Sequence, residues 1–206
     1  MRFLIIAVFL ALISGCANHH QKAQDEVKRY LGMSKEEYKS LITIKDDPLE
    51  TLAVLSTQAG FKQTHGLANV VWNDFFLRGY IDKTTGAKSI QVYAALEHIS
   101  GTWLHPYQAN YGKPLKTTPV TKIGSDVDCS FSNLHGSCKY LEHVGFTLAQ
   151  EELIRIEEII KSDPTNQFWI FKLKTRAGND IIEGFTTNEF AALIEKMNEY
   201  KPVETQ

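Results

Sequence analysis

Three groupings of side chains carry chemistry that charge, stacking or ligation could use. The first pairs a carboxylate with a guanidinium. Glu142 shares its parity with Tyr140, Val144 and Phe146, so a strand there places it on an otherwise apolar face, where it needs a cation or several donors. Arg78 is the expected partner, as a structural ion pair or as part of a binding site. The second grouping is aromatic. Trp103, His105, Tyr107 and Tyr111 are interleaved with Gly101, Pro106 and Gly112, and are expected beside a hairpin face carrying Arg78, Tyr80, Gln91 and Tyr93. Flat rings with hydrogen-bonding tips suit a sugar or peptide surface, although the same rings also serve as cover for a sheet edge. The candidate binding set is therefore Arg78, Tyr80, Tyr93, Trp103, His105, Tyr107 and Glu142.

The third grouping is an echo. Leu-Glu-His-Ile at 96–99 is matched by Leu-Glu-His-Val at 141–144, which offers His98, His143, Glu97 and Glu142 as metal ligands. Facing argues against it, because strand alternation places Glu97 with Gln91 and Tyr93, and Glu142 on the apolar side. No metal site is assigned, and no cofactor is expected. Catalytic signatures are missing from the sequence as well: it holds no Gly-x-Ser-x-Gly elbow, no His-Glu-x-x-His, no phosphate loop and no Gly-x-Gly-x-x-Gly. With 22 basic and 24 acidic side chains, net −2, the chain lacks the electrostatic footprint of a nucleic-acid binder.

These residues need a scaffold, and period-two patterning supplies most of it. Phe75, Leu77 and Ile81 alternate with Phe76, Arg78, Tyr80 and Asp82; after Thr84-Thr85-Gly86, Ile90, Val92, Ala94 and Leu96 alternate with Gln91, Tyr93 and Glu97. This predicts a half-buried antiparallel hairpin. A second hairpin is expected over 168–174 and 181–185, around Ala177-Gly178-Asn179. Further strands are expected at 41–44, 51–57, 119–123 and 140–146, the second of these competing with a helix start at Asp47-Pro48. Two capping boxes predict helices: Thr147 with Gln150, and Thr186 with Glu189 ahead of the stripe Phe190, Leu193, Ile194 and Met197. Ala23, Val27, Tyr30 and Leu31, closed by Gly32, predict a short helix at the start of the domain. The fold class is α+β, mainly antiparallel β and sandwich-like, with a C-terminal amphipathic helix.

The N-terminus supplies an address. Arg2 precedes eleven apolar residues, Phe3 to Ile13, which as helix span roughly 16 Å, about half a bilayer core. That is the length of a signal peptide. Its end, Leu12-Ile13-Ser14-Gly15-Cys16, resembles the lipobox of bacterial lipoproteins. The resemblance implies cleavage before Cys16 and lipid attachment to its thiol, held by about 0.8 kcal/mol per buried methylene. Ala17, where inner-membrane lipoproteins carry Asp, implies the outer membrane facing the periplasm. Residues 1–15 are then a leader, 16–23 a lipidated N-terminus and short tether, 24–201 a single domain and 202–206 a polar tail.

In an oxidising compartment Cys129 and Cys138, which enclose a Ser-, Asn- and Gly-containing loop, are expected to form a disulfide, since their spacing fits neither a metal pair nor a redox pair. The functional expectation is a lipid-anchored cell-envelope protein that binds or supports something without catalysis. Its partners are the membrane and either an envelope protein complex or peptidoglycan, but not nucleic acid. A wall-directed hydrolase and a small-ligand carrier are the alternatives.

Overall fold

The computed structural model describes residues 25, 28–58, 73–100, 102–130, 138–163, 165 and 167–201. The leader, Cys16, the whole tether and the tail lie outside the described residues. In chain order the elements are α1 (Lys35–Leu41), β1 (Thr43–Lys45), β2 (Leu52–Ser56), β3 (Asp74–Asp82), β4 (Lys88–Ser100), β5 (Pro106–Tyr111), β6 (Lys116–Pro119), β7 (Thr121–Asp128), β8 (Cys138–Thr147), α2 (Gln150–Ser162), β9 (Phe168–Thr175), β10 (Ile181–Thr186) and α3 (Thr187–Glu199). A helical stretch over 28–32 precedes α1. Six strands form a large sheet in the order β1-β2-β3-β4-β8-β7, and four form a small one in the order β10-β9-β5-β6. Every pairing is antiparallel.

The hairpins follow their side-chain period. Leu77 lies opposite Val92 and Phe75 opposite Ala94, so the apolar residues of both arms share the inner face. The Asp82 carboxylate accepts from the Thr84 and Thr85 amides and Gly86 supplies φ +75°, which fixes the turn and therefore the register. The small sheet covers part of the inner face. There Phe75, Phe146 and Phe171 meet at ring separations of 5.4–5.8 Å, and Trp169 and Phe185 extend the cluster to Phe190 of α3. The rest of that face is covered by α3, which packs on β2 and β3 and reaches β10. Its closest approach is at Gly79, where any Cβ would strike the Met197 sulfur.

Several boundaries differ from expectation, for physical reasons. Thr147 does not cap a helix: it pairs with Gln91 as the last residue of β8, and Ala149 precedes α2 without a side-chain cap. The strand expected over 51–57 forms as β2, Leu52–Ser56, with the Asp47 carboxylate and the Leu49 amide closing a turn before it. The strand expected at 41–44 begins only at Thr43, because Ser34 and Glu37 form a reciprocal capping box that starts α1. The expected strand 119–123 is two strands in different sheets. Pro119 ends β6, Thr121 opens β7, and Val120 between them donates its amide to the Tyr107 carbonyl at 3.1 Å.

Candidate functional site

The candidate site lies on the outer face of the large sheet, the face turned away from the small one. Cross-strand register sets Arg78 opposite Gln91, Phe76 opposite Tyr93 and Ala95 opposite His143. Phe76 and Tyr93 stack at 4.6 Å, and the Arg78 guanidinium lies 3.8 Å from the Tyr93 ring centre and 5.2 Å from that of Phe76. Arginine over tyrosine at that distance is a cation–π pair. The Tyr93 hydroxyl meets His143 Nδ1 at 2.8 Å, and the Tyr80 hydroxyl donates to Gln91 Oε1 at 3.1 Å. Gly145 leaves room for this layer, since a Cβ there would press on the Gln91 and Ile123 side chains. Burial pushes the Tyr93 phenol above its ordinary pKa, and the neighbouring Arg78 charge opposes that shift.

Among the described residues no carboxylate lies within ion-pair distance of Arg78. Its charge is held in place by rings, so it stays available to an anion. Arg78, Tyr80 and Tyr93 are thus brought together as expected, with His143 as a member that the sequence reading placed elsewhere.

Glu142 does not pair with Arg78. It lies opposite Leu96 on the inner face, so the sheet separates the two. It is 2% exposed, and its carboxylate accepts backbone N–H bonds from Leu104 at 2.6 Å and His105 at 3.1 Å. Donors, not a cation, satisfy the buried acid. The loop over 102–105 is therefore clamped against the inner face rather than the Arg78 face. The Arg176 amide reinforces it by donating to the Leu104 carbonyl at 3.0 Å, and His105 takes a positive φ of 49°. Trp103 packs edge-on against Tyr140 at 4.7 Å with Lys122 Nζ 5.5 Å from its ring centre, and Tyr107 is exposed beside Arg176. Trp103, His105 and Tyr107 thus belong to a separate cluster at the end of the sandwich.

The Leu-Glu-His echo separates in the same way. His98 and Glu142 face inward; Glu97, bound to Lys139 at 3.0 Å, and His143 face outward. Among the described residues no three His, Cys, Asp or Glu side chains converge as a metal site. Cys129 and Cys138 are joined as a disulfide with a Cα separation of 4.2 Å.

Three further acids are buried, Glu152, Glu189 and Asp74, none of them in the candidate set. Glu152, 1% exposed, is met by the Arg155 guanidinium at 2.5 Å and the Trp169 indole N–H at 2.8 Å. Burial alone would raise its pKa, but these donors outweigh it and hold it below the usual range. Glu189 is buried in α3 and accepts from the hydroxyls of Tyr30 and Thr57. Burial pushes it up to about 7. Burial likewise raises Asp74 to about 6, and among the described residues its Oδ1 meets no hydrogen-bond partner. The sequence signal at Glu189 is its spacing from Thr186, which also fits a capping box. The Thr186 hydroxyl does accept the Glu189 amide, but the carboxylate turns inward.

Compared with known proteins, the chain matches no family model, no curated protein and no solved structure.

Proposed function

We propose that this is a lipid-anchored protein of the bacterial cell envelope, held at Cys16 in the outer membrane and facing the periplasm, whose domain is a binding or accessory module rather than an enzyme. The lipobox-like run Leu12 to Cys16 supports the anchor. The observation that carries the binding reading is the Arg78 guanidinium, seated 3.8 Å from the Tyr93 ring centre and unopposed by any described carboxylate. Such a seat costs little reorganisation when an anion arrives. The ligand class that fits is a carboxylate-bearing peptide or glycan, as in peptidoglycan, or an acidic surface of an envelope partner.

The test uses the intact lipoprotein, solubilised in detergent and incubated with purified peptidoglycan and with membrane extract from its own source. Mass should show acyl addition at Cys16. Arg78→Ala should cut retention at least tenfold in protein that circular dichroism shows still folded, the midpoint falling only by the lost ring contact, and Arg78→Lys should recover little, because the fork and the stacking are lost. Retention unchanged in both variants sinks the Arg78 site, and turnover of wall fragments that depends on this face would instead favour the hydrolase reading.

A further inference from the structure

We infer that the outward face of the small sheet, at its β9–β10 side, rests on a phospholipid surface. Register puts Phe168, Ile170, Lys172 and Lys174 of β9 on that face together with Ile182 and Gly184 of β10. Gln108 and Asn110 of β5 and Thr117 and Pro119 of β6 complete it, so no strand residue on the face is acidic and two are lysines. Ile182 is 63% exposed, Ile170 56% and Phe168 43%, which is unusual for β-branched and aromatic residues on a sheet that already buries its other face. At Gly184 a side chain would collide with the Phe168 ring, so the glycine lets the ring lie across the edge strand.

Two openings flank Phe168. One, about 290 Å³, is lined by Lys113, Arg155, Phe168 and Ile170. The other, about 230 Å³, is lined by Phe168, Gly184, Tyr30 and Leu31, with Glu183 on its inner wall. Cations therefore lie beside the apolar strip on one side, and the start of the domain lies on the other. Arg155 is already paired with Glu152 and Lys174 with Asp180, which leaves Lys113 and Lys172 as the cations at the rim; an apolar strip fringed by such lysines matches an acyl boundary beneath anionic headgroups.

The chain's own length selects this occupant. The inference rests on the lipid anchor at Cys16. From there to Asp25, which is already helical, is nine residues, at most about 30 Å when extended and about 17 Å as flexible coil. Leu31, 45% exposed, then opens onto the cleft shared with Phe168. The tether thus delivers the domain to the bilayer with this face nearest. A face held at that range meets lipid at high effective concentration, whatever its affinity from free solution.

The experiment uses the intact acylated protein in vesicles of phosphatidylethanolamine and phosphatidylglycerol. An environment-sensitive fluorophore is placed on Ile170→Cys and, as control, on Leu49→Cys, whose side chain is 93% exposed in the turn before β2. Flotation and intact mass report the anchor separately. The expected result is a blue-shifted Ile170→Cys label that loses most of its emission to spin-labelled lipid, while the Leu49→Cys label is quenched only by aqueous iodide. An acylated, floating protein whose Ile170→Cys label stays open to iodide overturns the face and leaves the anchor standing. A label shielded from both quenchers overturns it in favour of a protein partner. An unacylated chain that does not float overturns the anchor and this inference together.

Discussion

The Tyr30 hydroxyl donates to the Glu189 carboxylate at 2.8 Å, joining positions 159 residues apart. Thr57 donates to the other carboxylate oxygen, and the Thr57 hydroxyl in turn accepts the Leu77 amide at 3.0 Å. One buried acid in α3 therefore ties the start of the domain to β3. Neither donor carries a charge, so the two hydroxyl bonds only partly offset the loss of hydration when Glu189 ionises.

A pH dependence follows. The folded pKa of Glu189, about 7, lies above its ordinary 4.5, so the native state binds the proton more tightly than the unfolded one. The stability this contributes is fully present below pH 4.5 and is lost as pH rises through about 7. Asp74 acts with the same sign between 3.8 and about 6. Urea midpoints measured across this range should fall with pH, the Glu189 part being on the order of 3 kcal/mol. Glu189→Gln keeps an acceptor oxygen without the charge and should flatten the profile while raising stability at pH 7.5.

Removing the Glu142 clamp should loosen the loop it holds. Glu142→Ala leaves the Leu104 and His105 amides without acceptors in a part-buried site and is expected to cost about 1–3 kcal/mol. Hydrogen exchange should accelerate at those two amides and leave the outer-face amides of β3 unchanged. A protected His105 amide in the variant would show that something else holds the loop.

Close packing at Gly79 gives a paired test. Gly79→Ala drives a methyl into the Met197 sulfur and should destabilise by about 1–3 kcal/mol. Met197→Ala opens a cavity and should cost about 2–5 kcal/mol alone. Because each change relieves the other, the double variant should be more stable than the sum of the single effects predicts.

The disulfide closes a short loop, since its cysteines are 9 positions apart. Replacing both by serine should lower stability by roughly 2–3 kcal/mol in the chain-entropy model. Thiol counting on the untreated protein should find neither cysteine free.

Much of the scaffold was legible because its patterning is local. Alternation at 75–82 and 90–97 placed Phe75, Leu77, Val92 and Leu96 on one face, and that face is the core. The same alternation placed Glu142 on the apolar side, where it is. It also contained the reason that Arg78 could not reach it, because Arg78 shares its parity with Tyr80 and not with Leu77. What sequence could not show was which loop donors arrive from elsewhere. The Leu104 and His105 amides bear no side-chain signature, so a cation seemed the natural partner. Spacing was equally ambiguous at Glu189, because an acid three residues after a threonine fits both a capping box and an inward brace. His143 was tied to its sequence echo and so was missed beside Tyr93. The Ser34 and Glu37 spacing fits a capping box as well, and the structure forms it at the start of α1.

Val120 is the one residue between a strand of the small sheet and a strand of the large sheet. Its bond to the Tyr107 carbonyl ties that corner to β5 as well. At the opposite side the layers meet through α3, whose side chains rest on β2, β3 and β10. The sandwich is thus spliced by covalent chain along one margin and held along the other by noncovalent contacts, the Glu189 hydrogen bonds among them. Under tension applied from the N-terminus, it should part like a hinged case, opening first along the margin where α3 lies and last at Val120.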